Sequence, residues 1–210
     1  MAGRKTYGQF CALARAMDHV GDRWTLLVVR ELLIAPARYG DLAAALPGAA
    51  TNLIAQRLRQ LTDDGIVERI GPAGAHYALT SHGRGLEPVI MELIRWGAAY
   101  MATGPGNDVV DERWAWLAVR ALLEGLAPGL PPGAVAVRCG EFEFSVVVEG
   151  SGRHVVREAA GERRAVVSAP LPALLGAVAS GEWDDVRLEG DGAFARAVLD
   201  PGSSGRPPWP

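Results

Sequence analysis

The apolar positions of the chain follow a helical period in its first half and an alternating period through much of its second. Phe10, Leu13, Ala14 and Met17 share one face of a predicted helix over residues 8–20. Gly21-Asp22 interrupts it, and Asp22 is the expected N-cap of a second helix through Leu33. That helix is apolar on most sides (Trp24, Leu26, Leu27, Val28, Val29, Leu32, Leu33), as a helix buried in the middle of a domain is. Pro36 ends it. A short helix over 39–45, with Tyr39 and Leu42 inward, leads through the turn Leu46-Pro47-Gly48 to a helix over 51–63. Thr51 is its expected N-cap and Gly65 its left-handed C′ residue. Two short helices joined by a tight turn make a helix-turn-helix pattern.

Two alternating segments, 66–70 and 75–79, flank Gly71-Pro72-Ala73-Gly74 and read as a hairpin. A hairpin directly after a helix-turn-helix is a wing. A long helix from Thr80 to about Met101 follows, with Leu86, Val89, Ile90, Leu93, Ile94, Gly97 and Tyr100 as an apolar stripe that needs a partner. A second copy of the chain is the expected one. Residues 103–107 (Thr-Gly-Pro-Gly-Asn) read as a linker.

Beyond the linker the pattern changes. A helix over 110–126 ends in the Pro/Gly-rich stretch 128–133. Strand-like runs cover 134–139, 142–149, 153–158 and 164–168, then a helix 171–180, a strand 185–189 and a helix 191–199. The expected organisation is a mainly α winged helix-turn-helix domain over 1–104, an α+β domain over 105–200, and a disordered tail over 201–210.

Composition adds three things. Nearly half of the 210 residues are hydrophobic (49%), enough for two cores. The net charge of −3 is uneven: residues 1–104 carry 11 Lys/Arg against 9 Asp/Glu, and 105–210 carry 10 against 15. The front half, at +2, is compatible with a nucleic-acid partner. The rear, at −5, would be repelled by phosphate. Two cysteines, one per half, make no disulfide framework. With no eighteen-residue apolar run and no secretory h-region, the expectation is a cytoplasmic protein without membrane association.

The helix from Thr51 carries the candidate chemistry. Leu53, Ile54, Leu58 and Leu61 point to the core, while Asn52, Ala55, Gln56 and Arg59 lie on the opposite face. Asn and Gln can pair bidentately with adenine and Arg with guanine, and the small Ala55 permits close approach to a groove floor. A solvated polar face is the alternative for this helix alone; the ordered set of helix, turn, helix and wing favours double-stranded DNA. Arg57, to one side, suits a phosphate, and Arg38 can reach the backbone. Arg69 and His76 lie on the wing strands; the alternatives are pairing with Asp63 or Asp64 for Arg69 and simple exposure for His76. Enzyme signatures are lacking: His19, His76, His82 and His154 are scattered without metal-ligand spacing, and there is no nucleophile elbow or P-loop. No cofactor or metal is expected.

Residues 8–101 resemble the HxlR-type winged-helix regulators, a branch close to the MarR group. The carriers are Cys11, Gly21-Asp22-Arg23-Trp24-Thr25-Leu26-Leu27, Arg30-Glu31-Leu32-Leu33, Arg38-Tyr39-Gly40-Asp41-Leu42, Leu46-Pro47-Gly48, Leu58-Arg59-Gln60-Leu61, Asp64-Gly65-Ile66-Val67-Glu68-Arg69, Tyr77-Ala78-Leu79-Thr80 and Trp96-Gly97, in matching order and spacing. The resemblance implies a homodimer reading an inverted repeat, one recognition helix per half-site. Arg23 stands where the family usually has Lys, and the wing is short before Tyr77, so the helix is expected to carry most of the specificity. Cys11 occupies the position of a thiol that senses oxidants or electrophiles in some relatives; a small buried apolar role is the alternative. Arg15, one turn on, could supply positive charge to it. Cys139 reads as structural.

Residues about 110–199 resemble, in pattern, the sterol carrier protein type 2-like fold. The carriers are Leu171-Pro172-Ala173-Leu174-Leu175, Gly181-Glu182, Val186-Arg187-Leu188-Glu189-Gly190-Asp191 and a last helix with Phe194, Ala197, Val198 and Leu199. This resemblance implies an apolar cavity for a lipid-like molecule; a filled core is the alternative. Gly190-Asp191-Gly192 reads equally as a phosphate loop or as an N-cap. The expected function is a DNA-binding transcription regulator, a repressor, modulated by a small apolar effector or a redox signal. The alternative is a lipid or small-molecule binding protein whose winged helix serves for dimerisation.

Overall fold

The computed structural model describes residues 6–101, 103–125, 129–150, 152–158 and 162–201. The predicted tail, apart from Pro201, lies outside them. The chain divides into two compact units, Met1–Ile90 and Met91–Pro210. The division falls within the helix Glu87–Gly97, upstream of the 103–107 segment.

The first unit is built around α2 (Thr25–Ile34), whose Val28, Val29, Leu32, Leu33 and Ile34 are buried. Glu31, at 3% exposure, is tied to Arg30 at 2.6 Å. Before it runs α1 (Ala12–Val20), and after it α3 (Tyr39–Ala45) and α4 (Thr51–Asp63). The wing is the antiparallel pair β1 (Val67–Ile70) and β2 (His76–Leu79), in which Arg69 faces Tyr77 and Ile70 faces His76. A backbone bridge from Ala37 to Tyr77 extends this hairpin by one further segment, which the alternation of a single residue could not signal.

Four sequence expectations change. The first helix starts at Ala12, with Cys11 as its N-cap, and its expected inward residues Phe10, Leu13 and Met17 are exposed; only Ala14 and Val20 are buried. The second starts at Thr25, because the Asp22 carboxylate pairs with Arg57 instead of capping a helix. Thr51 is the first helical residue of α4 and Ala50 the N-cap. The long helix over 80–101 is broken into α5 (Ser81–Arg84), α6 (Glu87–Gly97) and a 3-10 turn, Ala98–Met101. Pro88 has no N–H to offer the Arg84 carbonyl, so the helix cannot run through. Gly83 also sits so close to the chain before β1 that a Cβ there would lie 2.1 Å from the Ile66 carbonyl oxygen. The end of α4 is as expected: Gly65 takes φ +66°, with Ile66 N–H on the Leu61 carbonyl and Gly65 N–H on that of Thr62.

The second unit is α+β. From α7 (Trp114–Leu123) the chain enters a five-stranded sheet of order β5-β4-β3-β6-β7. The strands are β3 (Gly133–Cys139), β4 (Phe142–Glu149), β5 (Gly152–Val156), β6 (Arg163–Ser168) and β7 (Arg187–Gly190). Pairing is antiparallel except between β3 and β6, which run parallel. Alternation puts Val135, Val137, Phe144, Val146, Val155, Ala165 and Val167 on one face, all buried. Between β6 and β7 lies α8 (Leu171–Ser180), and α9 (Gly192–Leu199) closes the unit. Asp191 caps α9, accepting from Phe194 N–H at 2.9 Å, and also accepts from Arg164 at 2.6 Å. Both of its oxygens are thereby engaged within the protein, which is the N-cap outcome of the two readings of Gly190-Asp191-Gly192.

Candidate nucleic-acid interface

The side chains that α4 offers outward depend on how firmly its inner face is held. Ile54, Leu58 and Leu61 are essentially inaccessible, and Leu53 is half-buried. This anchors the helix axially and rotationally, so Asn52, Gln56 and Arg59 all lie exposed on the opposite side, with Ala55 half-buried between them. Among the described residues none engages the side chains of these three. The N-terminal end of α4 is tethered to α3, where the Tyr39 hydroxyl donates to the Thr51 carbonyl at 2.7 Å. The sequence marked Tyr39 as inward; its hydroxyl is what joins the two helices of the motif.

Arg57 and Arg59 share the helix but not the environment. Arg57 is held by Asp22 and Gln60 with its side chain only 15% exposed. Its expected phosphate contact would compete with that pair. Arg59 is exposed.

The wing brings together residues far apart in sequence. The Ala37–Tyr77 bridge, with N–H to carbonyl distances of 3.0 and 2.8 Å, draws the start of α3 against β2. Arg38 Nε consequently donates to His76 Nε2 at 3.3 Å. Arg38 is also the N-cap of α3, its backbone N–H donating to Asp41 at 3.0 Å. Arg69 turns onto its own hairpin: Nε donates to the Gly74 carbonyl at 2.9 Å, and the guanidinium lies 5.5 Å from the Tyr77 ring centroid. Neither of the acidic partners considered for it, Asp63 or Asp64, holds it; Asp64 pairs with His19 at 3.1 Å. Arg38 and Arg69 remain exposed at the surface while so engaged.

The two thiols stand at opposite extremes. Cys11 is exposed at the N-terminus of α1, and the backbone N–H groups of Ala14 and then Leu13 hold its pKa below the usual thiol value. Its expected helper Arg15 instead lies 3.5 Å from Asp18. Cys139 is buried, and burial, followed by the charge of Glu112, pushes its pKa up to about 12. Among the described residues no three His, Cys, Asp or Glu side chains gather as a metal site. No described helix is long and apolar enough to cross a membrane.

A family model described as HxlR-like helix-turn-helix matches residues 19–105. The HTH-type transcriptional regulator sll1512 of Synechocystis sp. is 35% identical over 98 residues, covering 45% of this chain and 73% of that protein. The HTH-type transcriptional regulator Rv3095 of Mycobacterium tuberculosis is 36% identical over 102 residues, 47% of this chain and 64% of that one. The crystal structure of quinone-bound YodB from Bacillus subtilis is 29% identical, covers 41% of this chain and 96% of its own, and superposes with a TM-score of 0.38. These matches all cover less than half of this chain. Through residues 19–105 the chain belongs to the HxlR-like helix-turn-helix family, whose members matched here are transcriptional regulators.

Proposed function

We propose that the chain is a transcription repressor that binds an inverted-repeat operator as a homodimer. Asn52, Gln56 and Arg59 read base edges in the major groove, and Thr51, Arg38, Arg69 and His76 contact the backbone. The observation that carries this reading is the exposed, unengaged polar face of α4, presented by a helix whose other face is locked into the core. The functional division assigns residues 1–104 to DNA binding and dimerisation and 105–200 to regulation.

Two exposed apolar sets support the dimer. Val89, Leu93, Trp96 and Tyr100 recur at helical spacing along α6 and the turn after it, with Trp96 and Tyr100 edge to face at 5.2 Å. Tyr7, Phe10 and Leu13 are exposed around the start of α1. Large apolar side chains grouped in this way mark an interaction surface. Trp96→Glu is expected to give a monomer by sedimentation and to abolish operator binding.

The rear unit is read as a sterol-carrier-like domain that binds a small apolar effector. Its sheet is buried on both faces along β3 and β4, and α8 carries the small residues Ala173, Gly176, Ala177 and Ala179. A redox input through Cys11 is the second signal, supported by an exposed thiol whose pKa is lowered.

Binding to the chain's own upstream DNA across a salt series tests the central reading. Sequence-specific binding that weakens steeply with salt is expected, because phosphate contacts release counterions. Equal binding to unrelated DNA at every salt concentration would sink it. Native mass spectrometry of the freshly purified chain tests the rear unit, with a retained apolar molecule expected.

A further inference from the structure

Arg57 sits on the base-reading helix but not on its outward face. At about 100° per residue its side chain leaves α4 roughly 100° from Gln56 and 160° from Arg59, and only about 40° from the buried Leu61. Its guanidinium is turned inward. Nη1 is shared between the Asp22 carboxylate and the side-chain oxygen of Gln60, and Nε is buried without an acceptor among the described residues.

Asp22 lies in the turn between α1 and α2. An aspartate just ahead of a helix ordinarily caps it. Here α2 starts after Trp24 with no side-chain cap, and the Asp22 carboxylate reaches α4 instead. A local preference given up for a remote contact is expected where function needs that contact. Three residues earlier, His19 Nδ1 of α1 lies 3.1 Å from the carboxylate of Asp64, the C-cap of α4. Segment 19–22 therefore holds α4 at two points, Arg57 and Asp64, about two helical turns apart. Burial of Ile54, Leu58 and Leu61 sets the depth of α4, but apolar contact has no preferred direction. A charge-assisted hydrogen bond on the flank of the helix does, and it resists rotation about the axis.

We infer that Asp22 is a positioning residue for DNA recognition: it holds Arg57, and Arg57 fixes the rotation of α4 that aims Asn52, Gln56 and Arg59 at base edges. The inference rests on the reading of α4 as the base-reading helix, and it removes Arg57 from the phosphate contacts. The two roles of Arg57 give opposite signs for Asp22. If Arg57 served a phosphate, Asp22 would be its competitor, and neutralising Asp22 would strengthen binding. With Arg57 as a brace, neutralising Asp22 weakens discrimination, because sequence is read by base contacts and not by phosphate contacts.

Competition binding of the full chain to its own upstream DNA and to an unrelated duplex, across a salt series, tests it. The unaltered chain is expected to prefer its own DNA. Asp22→Asn should cut that preference about fivefold, within the range for directly coupled groups, while Asp22→Glu retains the carboxylate and the preference. Arg57→Met should cut it to a similar extent, leave the dependence of log affinity on log salt unchanged, and add nothing to Asp22→Asn in the double variant. An unchanged or raised preference in Asp22→Asn would overturn the positioning role. So would a salt slope that falls by about one in Arg57→Met, which is the signature of a lost phosphate contact. Should Arg57→Met not fold, Asp22→Asn decides alone, since Asp22 is exposed in a turn. An unaltered chain without sequence preference takes down the operator reading and the inference together. A preference that ignores Asp22→Asn takes down the inference and leaves the operator reading standing.

Discussion

The two units use the same residue types in opposite ways. In the first, Arg59 and Cys11 are exposed, and the thiol is more acidic than usual. In the second, Arg153 and Cys139 are fully buried, and the thiol is less acidic, at about 12. A charged group at a surface is solvated until a large partner arrives, so it is free to recognise one at little cost. A charged group in a core must be satisfied from within or by a molecule small enough to enter. The first unit presents its charge along an open helix face, and the second keeps its charge inside.

Phe144→Ala removes a fully buried ring on the sheet face that holds Arg153, and a loss of roughly 3–5 kcal/mol is expected in chemical denaturation of the second unit. A cost below about 1 kcal/mol would mean that this core is loosely packed. Next comes Arg59→Ala, which should reduce discrimination between operator and mutated operator by about 1–3 kcal/mol if Arg59 reads a guanine. Full discrimination in that variant, measured by competition binding, would move the reading face elsewhere.

The thiols give two smaller effects. The folded Cys139 pKa is raised to about 12 from an ordinary 9.0. Above pH 9 the unfolded chain loses this proton while the folded chain keeps it, so the unfolded state binds fewer protons and stability falls as pH rises. The contribution is fully present below pH 9 and is lost at about 1.4 kcal/mol per pH unit between those two values; the slope is absent in Cys139→Ala. Denaturation series at several alkaline pH values measure it. Cys11 should not change stability measurably; its signature is kinetic. Its alkylation by iodoacetamide, followed by peptide mass spectrometry, should show a pH midpoint below 9.0 while Cys139 stays unlabelled until the chain is unfolded. Equal labelling of both would erase the contrast.

Much of the first unit could be read without coordinates because its signals are local. The period of Ile54, Leu58 and Leu61, the left-handed Gly65 and the Gly/Pro turn between β1 and β2 each report on a few adjacent residues, and the structure places them as expected. Boundaries read less well. Asp22 has the right side chain for an N-cap, but whether it caps or pairs depends on Arg57, which is remote in sequence. The break after Arg84 was available in Pro88, yet the continuing apolar stripe outweighed it. Exposure of Phe10, Leu13 and Met17 shows the limit of periodicity: an apolar face predicts burial against something, and does not say whether that is the same chain.

The elements of the helix-turn-helix, the outward set Asn52, Gln56 and Arg59, and the change to an α+β pattern beyond residue 107 were legible without coordinates, because hydrophobic period and turn chemistry are properties of neighbouring residues. Which cations are already engaged was settled by long-range folding. Arg57 on Asp22, Arg38 on His76, Arg69 on Gly74 and Arg153 on the end of α9 all depend on segments that meet through folding. A side chain's chemistry is written at its own position, but its availability is set by whichever group the fold brings within hydrogen-bond reach.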